Sequence, residues 1–483
     1  DHAIRFLRGR RRAPDLVHSH YADAGYVAAS ISTLLGIPMV HTGHSLGRSK
    51  KARLLEKGQS EESIEKTYRI STRIAAEETA LDHANMVIAS TNQEVEEQYG
   101  VYEHYQPERM TVIPPGTDLS RFSPPSESWA QTTPEIWPQL ERFLTDADKP
   151  PILALARPDP RKNLPTLIEA FGRNEDLRSQ ANLWLIAGTR DSIEELDRGP
   201  RDVLTEILLK IDKYDLYGSV AYPKQHRSED VPEIYRLAAQ RLGVFVNPAL
   251  TEPFGLTLIE AAASGLPIVA TNDGGPRDIT ATIGGGKLID PYDPDALGET
   301  LLELIRDPKT RRDWSQRGIR AVREHYDWDH HVETYLQKVS ELTELGQPLA
   351  LRTRRPGALA RVSRLLIVDI DNTLVGDLEG TRRLVEIVEA QDDLAFGIAT
   401  GRQIDSAREI LEANEVPQPD LMITAVGAEI FYGPRRTEDS FWPRHLDEHW
   451  EPDRIRELLA DQPGLEPQRK TEQRRHKLSY ELD

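Results

Sequence analysis

The 483-residue sequence contains no cysteine, and none of its apolar runs approaches the ~18 residues of a membrane span. The first absence rules out a disulfide framework and suits a reducing compartment, so the compartment expected is cytoplasmic. The second sets aside a transmembrane helix, and no membrane partner is expected. An initiator methionine is missing too. The chain opens Asp1-His2-Ala3 and reads as a piece of a longer one, so a targeting segment ahead of it stays open. Positive charge is in short supply. The formal net charge of −19 argues against a nucleic-acid partner, which needs a basic face. Anionic small molecules remain open, because they need only a locally positive pocket.

Hydrophobic residues make up 38% of the chain, enough for packed cores. At roughly 100–200 residues per domain, the length suggests about three domains. Residues 15–45 alternate strand and helix signals. Asp15–His20 is a short apolar run, Asp23 can cap a helix through Leu35, Gly36 can end it, and Pro38–His41 restarts an extended run. This β-α-β pattern favours a parallel sheet covered by helices. Met86–Ser90 and Thr111–Ile113 read as further strands. The prolines at 124, 125, 134, 138 and 150 mark a connector.

A second series of strands follows at Ile152–Ala156, Leu183–Ala187, Val220–Tyr222, Val244–Asn247 and Ile268–Thr271, with helices such as 202–213 and 257–264 between them. The stretch 346–364 holds five Arg and no acid, and reads as a linker. A third series begins at Leu365. The fold class expected is α/β: two doubly wound, Rossmann-like domains at 1–135 and 148–345, then a partial α/β domain at 365–483. The sequence shows no internal repeat.

Residues 251–260, Thr-Glu-Pro-Phe-Gly-Leu-Thr-Leu-Ile-Glu, set two glutamates at the edges of an apolar stretch. Asn247-Pro248 ends a strand, a loop carries Glu252, and a helix begins near Thr257. Gly255 lets the backbone approach a ligand closely, and the free N–H groups of a helix start form an anion site. Glu252 in the loop and Glu260 in the helix need not face each other. They can hold the two hydroxyl-rich ends of a nucleotide sugar whose diphosphate lies between them. The competing reading is a pair of acids favoured by the helix dipole. The neighbours tip the balance. Arg157-Pro-Asp-Pro-Arg161-Lys162 follows the first strand of the same half, where open α/β sheets bind ligands, and Arg157 and Lys162 could neutralise a leaving diphosphate.

These residues carry a resemblance. Gly43-His44-Ser45-Leu46-Gly47-Arg48, Val112-Ile-Pro-Pro-Gly116, Ala156–Pro160, Ile211–Gly218 and 247–260 together resemble the retaining GT-B glycosyltransferases of the sucrose-phosphate synthase type, over about residues 1–345. The resemblance implies that Arg157 and Lys162 bind the diphosphate of UDP-glucose, with the helix-start amides of Gly255, Leu256 and Thr257 completing the cradle. It implies that Glu252 holds the glucose hydroxyls, Glu260 the ribose, and that His44 lies near the reacting carbon. Transfer would retain the anomeric configuration, with the leaving phosphate helping to deprotonate the acceptor and no cofactor required. The acceptor implied is fructose 6-phosphate, whose phosphate needs cations. Ser45, Lys50, Arg53, Arg69 and Arg73 are candidates, and Arg69 and Arg73 stand i,i+4 in a stretch, 60–80, that reads as one helix. His20 and Tyr21, at a strand end, join them as acceptor contacts. The family carries earlier strands and a Gly-rich loop ahead of the point matching residue 1.

Leu365–Thr373 reads Leu-Leu-Ile-Val-Asp-Ile-Asp-Asn-Thr. An apolar strand delivers Asp369 and Asp371 at its end, where one carboxylate can attack phosphorus and the other can move protons. Mg2+ would offset the crowded negative charge. Alone, Asp-x-Asp-x-Thr is equally an N-cap after a buried strand. With Thr400-Gly401-Arg402, Thr424–Glu429 and Lys477–Tyr480, the segment resembles the haloacid-dehalogenase (HAD) superfamily and, within it, sucrose-phosphate phosphatase. The resemblance assigns the nucleophile to Asp369, the acid/base to Asp371, both to the Mg2+ site, and phosphate binding to Thr400, Gly401 and Lys477. The family's last acidic motif would fall beyond residue 483.

The function expected is therefore glucosyl transfer from UDP-glucose to fructose 6-phosphate, giving sucrose 6-phosphate, with a fused phosphatase-like domain that hydrolyses it. Three alternatives stay open: another donor, such as a mannosyl one; a phosphatase-like domain that only binds phosphosugar and regulates; and transfer to free fructose. A homo-oligomer or a separate sucrose-phosphate phosphatase partner also stays open.

Overall fold

The computed structural model describes residues 14–345, 359, 362 and 364–482, except 392, 434–435, 440, 448–449 and 461. Residues 1–13 and most of the expected linker, 346–364, lie outside the described residues. The chain divides into two compact units, one of residues 1–87, 102–109 and 339–483, the other of 88–101 and 110–338.

In the first unit, strand β1 (Val17–His20) pairs in parallel with β2 (Met39–Thr42), aligning Ser19 with His41 and His20 with Thr42. Helix α1 (Tyr21–Leu35) joins them, ending on the left-handed Gly36 as expected. It starts two residues before Asp23, which lies in its first turn rather than capping it. Helices α2 (Gly47–Glu56), α3 (Glu61–Tyr68) and α4 (Ile70–His83) follow. Gly25 is what lets α1 pack closely: an added Cβ would stand 2.8 Å from the Cβ of Ala80 on α4 and 2.9 Å from His41 Cε1.

The single helix expected over 60–80 is corrected. It breaks at Arg69, whose φ of 46° is left-handed, into α3 and α4. Glu65 makes the break favourable by accepting from Ser71 N at 3.0 Å and Ser71 Oγ at 2.6 Å, which satisfies the start of α4. Arg69 and Arg73 therefore do not share one helical face.

The chain passes from the first unit to the second within β3 (Met86–Ala89), and β4 (Met110–Val112) lies in the second. There β5 (Pro151–Leu155), β6 (Asn182–Ile186), β7 (Val220–Ala221), β8 (Val244–Asn247), β9 (Ile268–Thr271) and β10 (Gly286–Ile289) form one sheet in the order β10-β9-β8-β5-β6-β7. All its pairings are parallel. The side chains alternate between two cores. Ile152, Ala154, Leu183, Leu185, Val244 and Val246 enter one, and Leu153, Trp184, Ile186 and Phe245 the other. Burial on both faces is why these strands read as unbroken apolar runs. Each such Leu or Ile contributes roughly 1.5–3 kcal/mol by leaving water. The chain reverses direction at the strand ends, with α5 (Leu164–Arg173) after β5, α6 (Asp230–Gln240) before β8 and α7 (Leu256–Ala263) after it.

The third series lies in the first unit. Strands β11 (Arg364–Val368), β12 (Leu394–Ala399) and β13 (Leu421–Thr424) are parallel, and β14 (Glu429–Tyr432) and β15 (Thr437–Glu438) extend the sheet antiparallel.

Candidate active sites

In the second unit the loop after β5 is held tightly. Asp159 accepts from Arg161 N at 2.9 Å, capping the short turn Pro160–Lys162. The Arg161 guanidinium beside it pulls the Asp159 carboxyl down to about 2. Leu250 N donates to Arg161 O at 2.8 Å and ties this loop to the one after β8. Lys162 is thereby aimed at Glu252, with Nζ to Oε2 at 2.5 Å. Asn247 Nδ2 donates to the same oxygen at 2.9 Å.

The backbone of Glu252 is clamped as well. Its N–H donates to Asp273 O at 3.2 Å, and its carbonyl accepts from Gly275 N at 2.9 Å. A Cβ at the left-handed Gly274 would fall 1.9 Å from that carbonyl, so only glycine fits there. The carboxylate of Glu252 is buried, with Lys162 offsetting its charge.

Gly255, at φ 110°, turns the chain into α7, and no side chain caps that helix. The first-turn amides of Leu256 and Thr257 thus remain an anion-binding end. Glu260 lies one turn in, where Tyr235 Oη on α6 donates to its Oε2 at 3.2 Å. Burial raises Glu260 to about 6 despite that bond. Arg157 is exposed at the start of the loop after β5. Lys162, Glu252, Gly255 and Glu260 thus share two adjoining loops and one helix. Asn247, Tyr235 and the Asp273–Gly275 clamp are supports that the sequence did not reveal.

In the first unit β1 and β2 end in a cluster of imidazoles. His18 Nε2 bonds Thr42 Oγ1 at 3.0 Å, Ser19 Oγ bonds His41 Nδ1 at 2.9 Å, and His20 Nδ1 bonds His44 Nε2 at 2.8 Å. Burial, helped by His20 and His44, pulls His18 down to about 4. Burial, helped by His18, His20 and His44, does the same to His41. His44 is lowered by burial and by His20. Tyr21 and His44 both take left-handed backbone, at φ 73° and 59°, a cost of order 1–3 kcal/mol each for residues with a side chain.

Beside them Arg73 donates to Ser45 O and, at 3.4 Å, approaches Ser45 Oγ. Its guanidinium also lies 4.5 Å from the Tyr21 ring centroid. Glu77 organises this corner from within. It is almost wholly buried and accepts from Arg73 Nε at 2.9 Å, Gly47 N at 3.0 and 2.9 Å, and Tyr102 Oη at 2.5 Å. Burial and the Glu77 bond raise the Tyr102 phenol well above its ordinary range, so it stays a donor.

His20, Tyr21, His44, Ser45 and Arg73 are therefore brought together. Lys50 is engaged elsewhere, over the Tyr68 ring at 3.9 Å, Arg53 donates back to Ser49 O at 3.2 Å, and Arg69 is spent on the helix break. Glu77 was missed because an acid in a helix carries no mark of what it will accept.

In the third series, parallel register sets Val368 beside Ile398, so Asp369 and Thr400 emerge at the same end of neighbouring strands. Asp369 accepts from Ile370 N at 2.8 Å. Asp371 is paired through both oxygens with Arg402, at 2.8 and 2.7 Å, and that guanidinium holds its carboxyl below the usual range. Lys477 Nζ reaches Gly401 O at 3.2 Å. Among the described residues no group of three or more His, Asp or Glu is placed to hold a metal ion. Asp369 and Asp371 still fit Mg2+ in kind, because that ion is usually held by one or two carboxylates with waters and a substrate phosphate.

Three families match successive parts of the chain. Residues 2–121 match Glycosyltransferase Family 4, residues 136–321 match Glycosyl transferases group 1, and residues 362–483 match Sucrose-6F-phosphate phosphohydrolase. A sucrose-phosphate synthase of Zea mays is 48% identical over 371 residues, covering 69% of this chain and 35% of the relative. Sucrose-phosphate synthase 4 of Arabidopsis thaliana is 42% identical over 425 residues, covering 78% of this chain and 40% of the relative. The chain is homologous to the sucrose-phosphate synthases. It spans about a third of the length of the first of these curated relatives.

Among solved structures, a sucrose-phosphate synthase of Thermosynechococcus elongatus superposes with a TM-score of 0.52 at 26% identity, over 68% of this chain and 74% of that one. HepE of Anabaena, solved with UDP, gives 0.54 at 19% identity over 70% and 81%, a likeness of fold. The architecture is thus GT-B, two doubly wound glycosyltransferase halves, followed by a phosphatase-like α/β segment. Among the described residues no helix is long and apolar enough to cross a membrane.

Proposed function

We propose that the protein transfers glucose from UDP-glucose to fructose 6-phosphate, with retention, giving sucrose 6-phosphate and UDP. The reading rests above all on the half-buried Lys162 paired with the buried Glu252 beside the uncapped start of α7, in a chain homologous to sucrose-phosphate synthases. A cation, a carboxylate and free helix amides together suit a sugar joined to a diphosphate. In this reading Lys162, Arg157 and the amides of Gly255, Leu256 and Thr257 hold the diphosphate. Glu252 accepts from the glucose hydroxyls and Glu260 from the ribose. Arg73, with Ser45 and Tyr21, holds the acceptor phosphate, and His44 meets the donor sugar.

The bond from the anomeric carbon to the diphosphate oxygen breaks, the acceptor hydroxyl oxygen bonds that carbon, and its proton passes to the leaving phosphate. The protein contributes position and charge stabilisation rather than a strong base. The layout 1–135, 148–345 and 365–483, with 346–364 as linker, and a cytoplasmic setting go with this reading.

For the third segment the same proposal makes Asp369 the nucleophile toward the phosphate of sucrose 6-phosphate, with Thr400, Gly401 and Lys477 about the phosphoryl oxygens. Bound by Asp369 and Asp371, Mg2+ would supply charge neutralisation at the phosphate. Asp371 can give a proton to the leaving sugar oxygen only after its pair with Arg402 opens, because paired it is a carboxylate.

The test is the full-length protein with UDP-glucose, fructose 6-phosphate and Mg2+, products identified by mass. Sucrose with free phosphate supports both parts, while sucrose 6-phosphate that persists supports transfer alone and a third segment without phosphatase activity. Intact UDP-glucose with turnover of another nucleotide sugar changes the donor.

A further inference from the structure

We propose that His20 is a positioning residue for His44: the bond between their rings fixes the orientation of His44 and couples its tautomer to that of His20, leaving it one defined nitrogen, Nδ1, for the donor sugar. This rests on the role given to His44 above.

The geometry is specific. Two ring nitrogens 2.8 Å apart can share only one proton between neutral imidazoles, so one ring donates and the other accepts. The tautomer of each ring is then set by the other. The contact consumes Nε2 of His44 and Nδ1 of His20, so the polar edge of His44 that remains is Nδ1. The rings also stack, with centroids 5.0 Å apart and planes inclined by 19°.

His20 is itself braced on its other side. The His18 ring lies 4.3 Å away, one step back on the same face of β1, and is tied to Thr42 on β2. The register that sets His20 beside Thr42 puts His44 two residues further along β2's exit. There the chain takes left-handed backbone at His44, and Tyr21 does so immediately after His20. Both strand exits are thus bent at the residues that bring these two rings together.

The alternative is direct contact of His20 with the acceptor. The two differ in what they predict, because a ring that touches the acceptor governs acceptor KM, whereas one that orients His44 governs kcat.

The experiment compares the full chain with His20→Phe, which keeps a ring without the hydrogen bond, and His20→Asn, whose amide sits near the histidine Nδ1. His20→Phe should lower kcat about tenfold, with acceptor KM within about twofold, and His20→Asn should recover to within about threefold. A second readout needs no turnover. Carbethoxylation of His44 by diethyl pyrocarbonate, followed by mass spectrometry of its peptide, should run about threefold or more faster in His20→Phe than in the unaltered chain or His20→Asn, because Nε2 is released. His20→Leu gives the same comparison if the larger ring misfolds.

Equal labelling in all forms overturns the proposal. So does a raised acceptor KM with unchanged kcat. Faster labelling in a protein that never transfers from UDP-glucose upholds the contact and overturns the donor reading instead.

Discussion

Lys162 Nζ stands 2.5 Å from Glu252 Oε2, and Asn247 Nδ2 donates to the same oxygen, so one carboxylate joins the loops after β5 and β8. Removing the ammonium leaves a buried charge with only a neutral donor. Lys162→Met should therefore destabilise the protein by about 1.5–3 kcal/mol, read from urea unfolding. Glu252→Gln should cost less, since the amide can still accept from Asn247. Glu252→Ala should lower kcat for transfer by on the order of 10²-fold if it meets charge developing at the sugar. Unchanged kinetics in Lys162→Met and Glu252→Ala would remove this pair from the donor site.

Glu260 titrates near 6 because burial disfavours its charge, against an ordinary value of 4.5. A carboxyl with a raised folded pKa contributes its full stability below about 4.5 and loses it as pH climbs through about 6. Glu260→Gln should thus gain stability relative to the unaltered chain over that interval and hold the gain above it. Ligand binding should run the other way, because the carboxylate accepts from ribose hydroxyls. The Kd for UDP, by calorimetry, should weaken below about pH 6, and the glutamine variant should lose that slope.

Arg73 is the cation that the fold delivers to the acceptor candidates, through Ser45, Tyr21 and Glu77. Arg73→Met should raise the KM for fructose 6-phosphate by roughly tenfold or more, in line with about 1.5–3 kcal/mol for a charged hydrogen bond. Arg69→Met should move it less than about twofold. Equal effects would mean that the break at Arg69 does not separate the two.

Asp369→Asn removes a nucleophile while keeping the bond from Ile370 N. Phosphate release from sucrose 6-phosphate should fall by at least about 10³-fold with glucosyl transfer intact. Unchanged release would mean that this segment does not hydrolyse the sugar phosphate.

Much of the architecture was readable because strands buried on both faces must be apolar, which exposes them in the sequence. Val244–Asn247 and Ile268–Thr271 coincide with β8 and β9 for that reason. The strand β10 was missed because its burial is slight: Lys287 and Leu288 are exposed. The break at Arg69 carried no Gly or Pro, and its cause is a carboxylate on the preceding helix. The residues brought together at the candidate sites came mainly from resemblance. Their supports, Glu77, Asn247 and Tyr235, could not be read, since each depends on a partner 5 to 30 residues distant that no local pattern names.

The first unit is assembled from chain segments that leave the ribosome far apart in time. Residues 88–101 and 110–338 of the other unit are complete before Val339 appears. At about 5–20 residues per second, residues 339–483 take on the order of ten seconds more. During that interval the sheet of β5 to β10 can already form, because all six of its strands precede Val339. Birth order thus gives the nascent chain both its acceptor and its nucleotide-sugar candidates before β11 to β15 leave the ribosome.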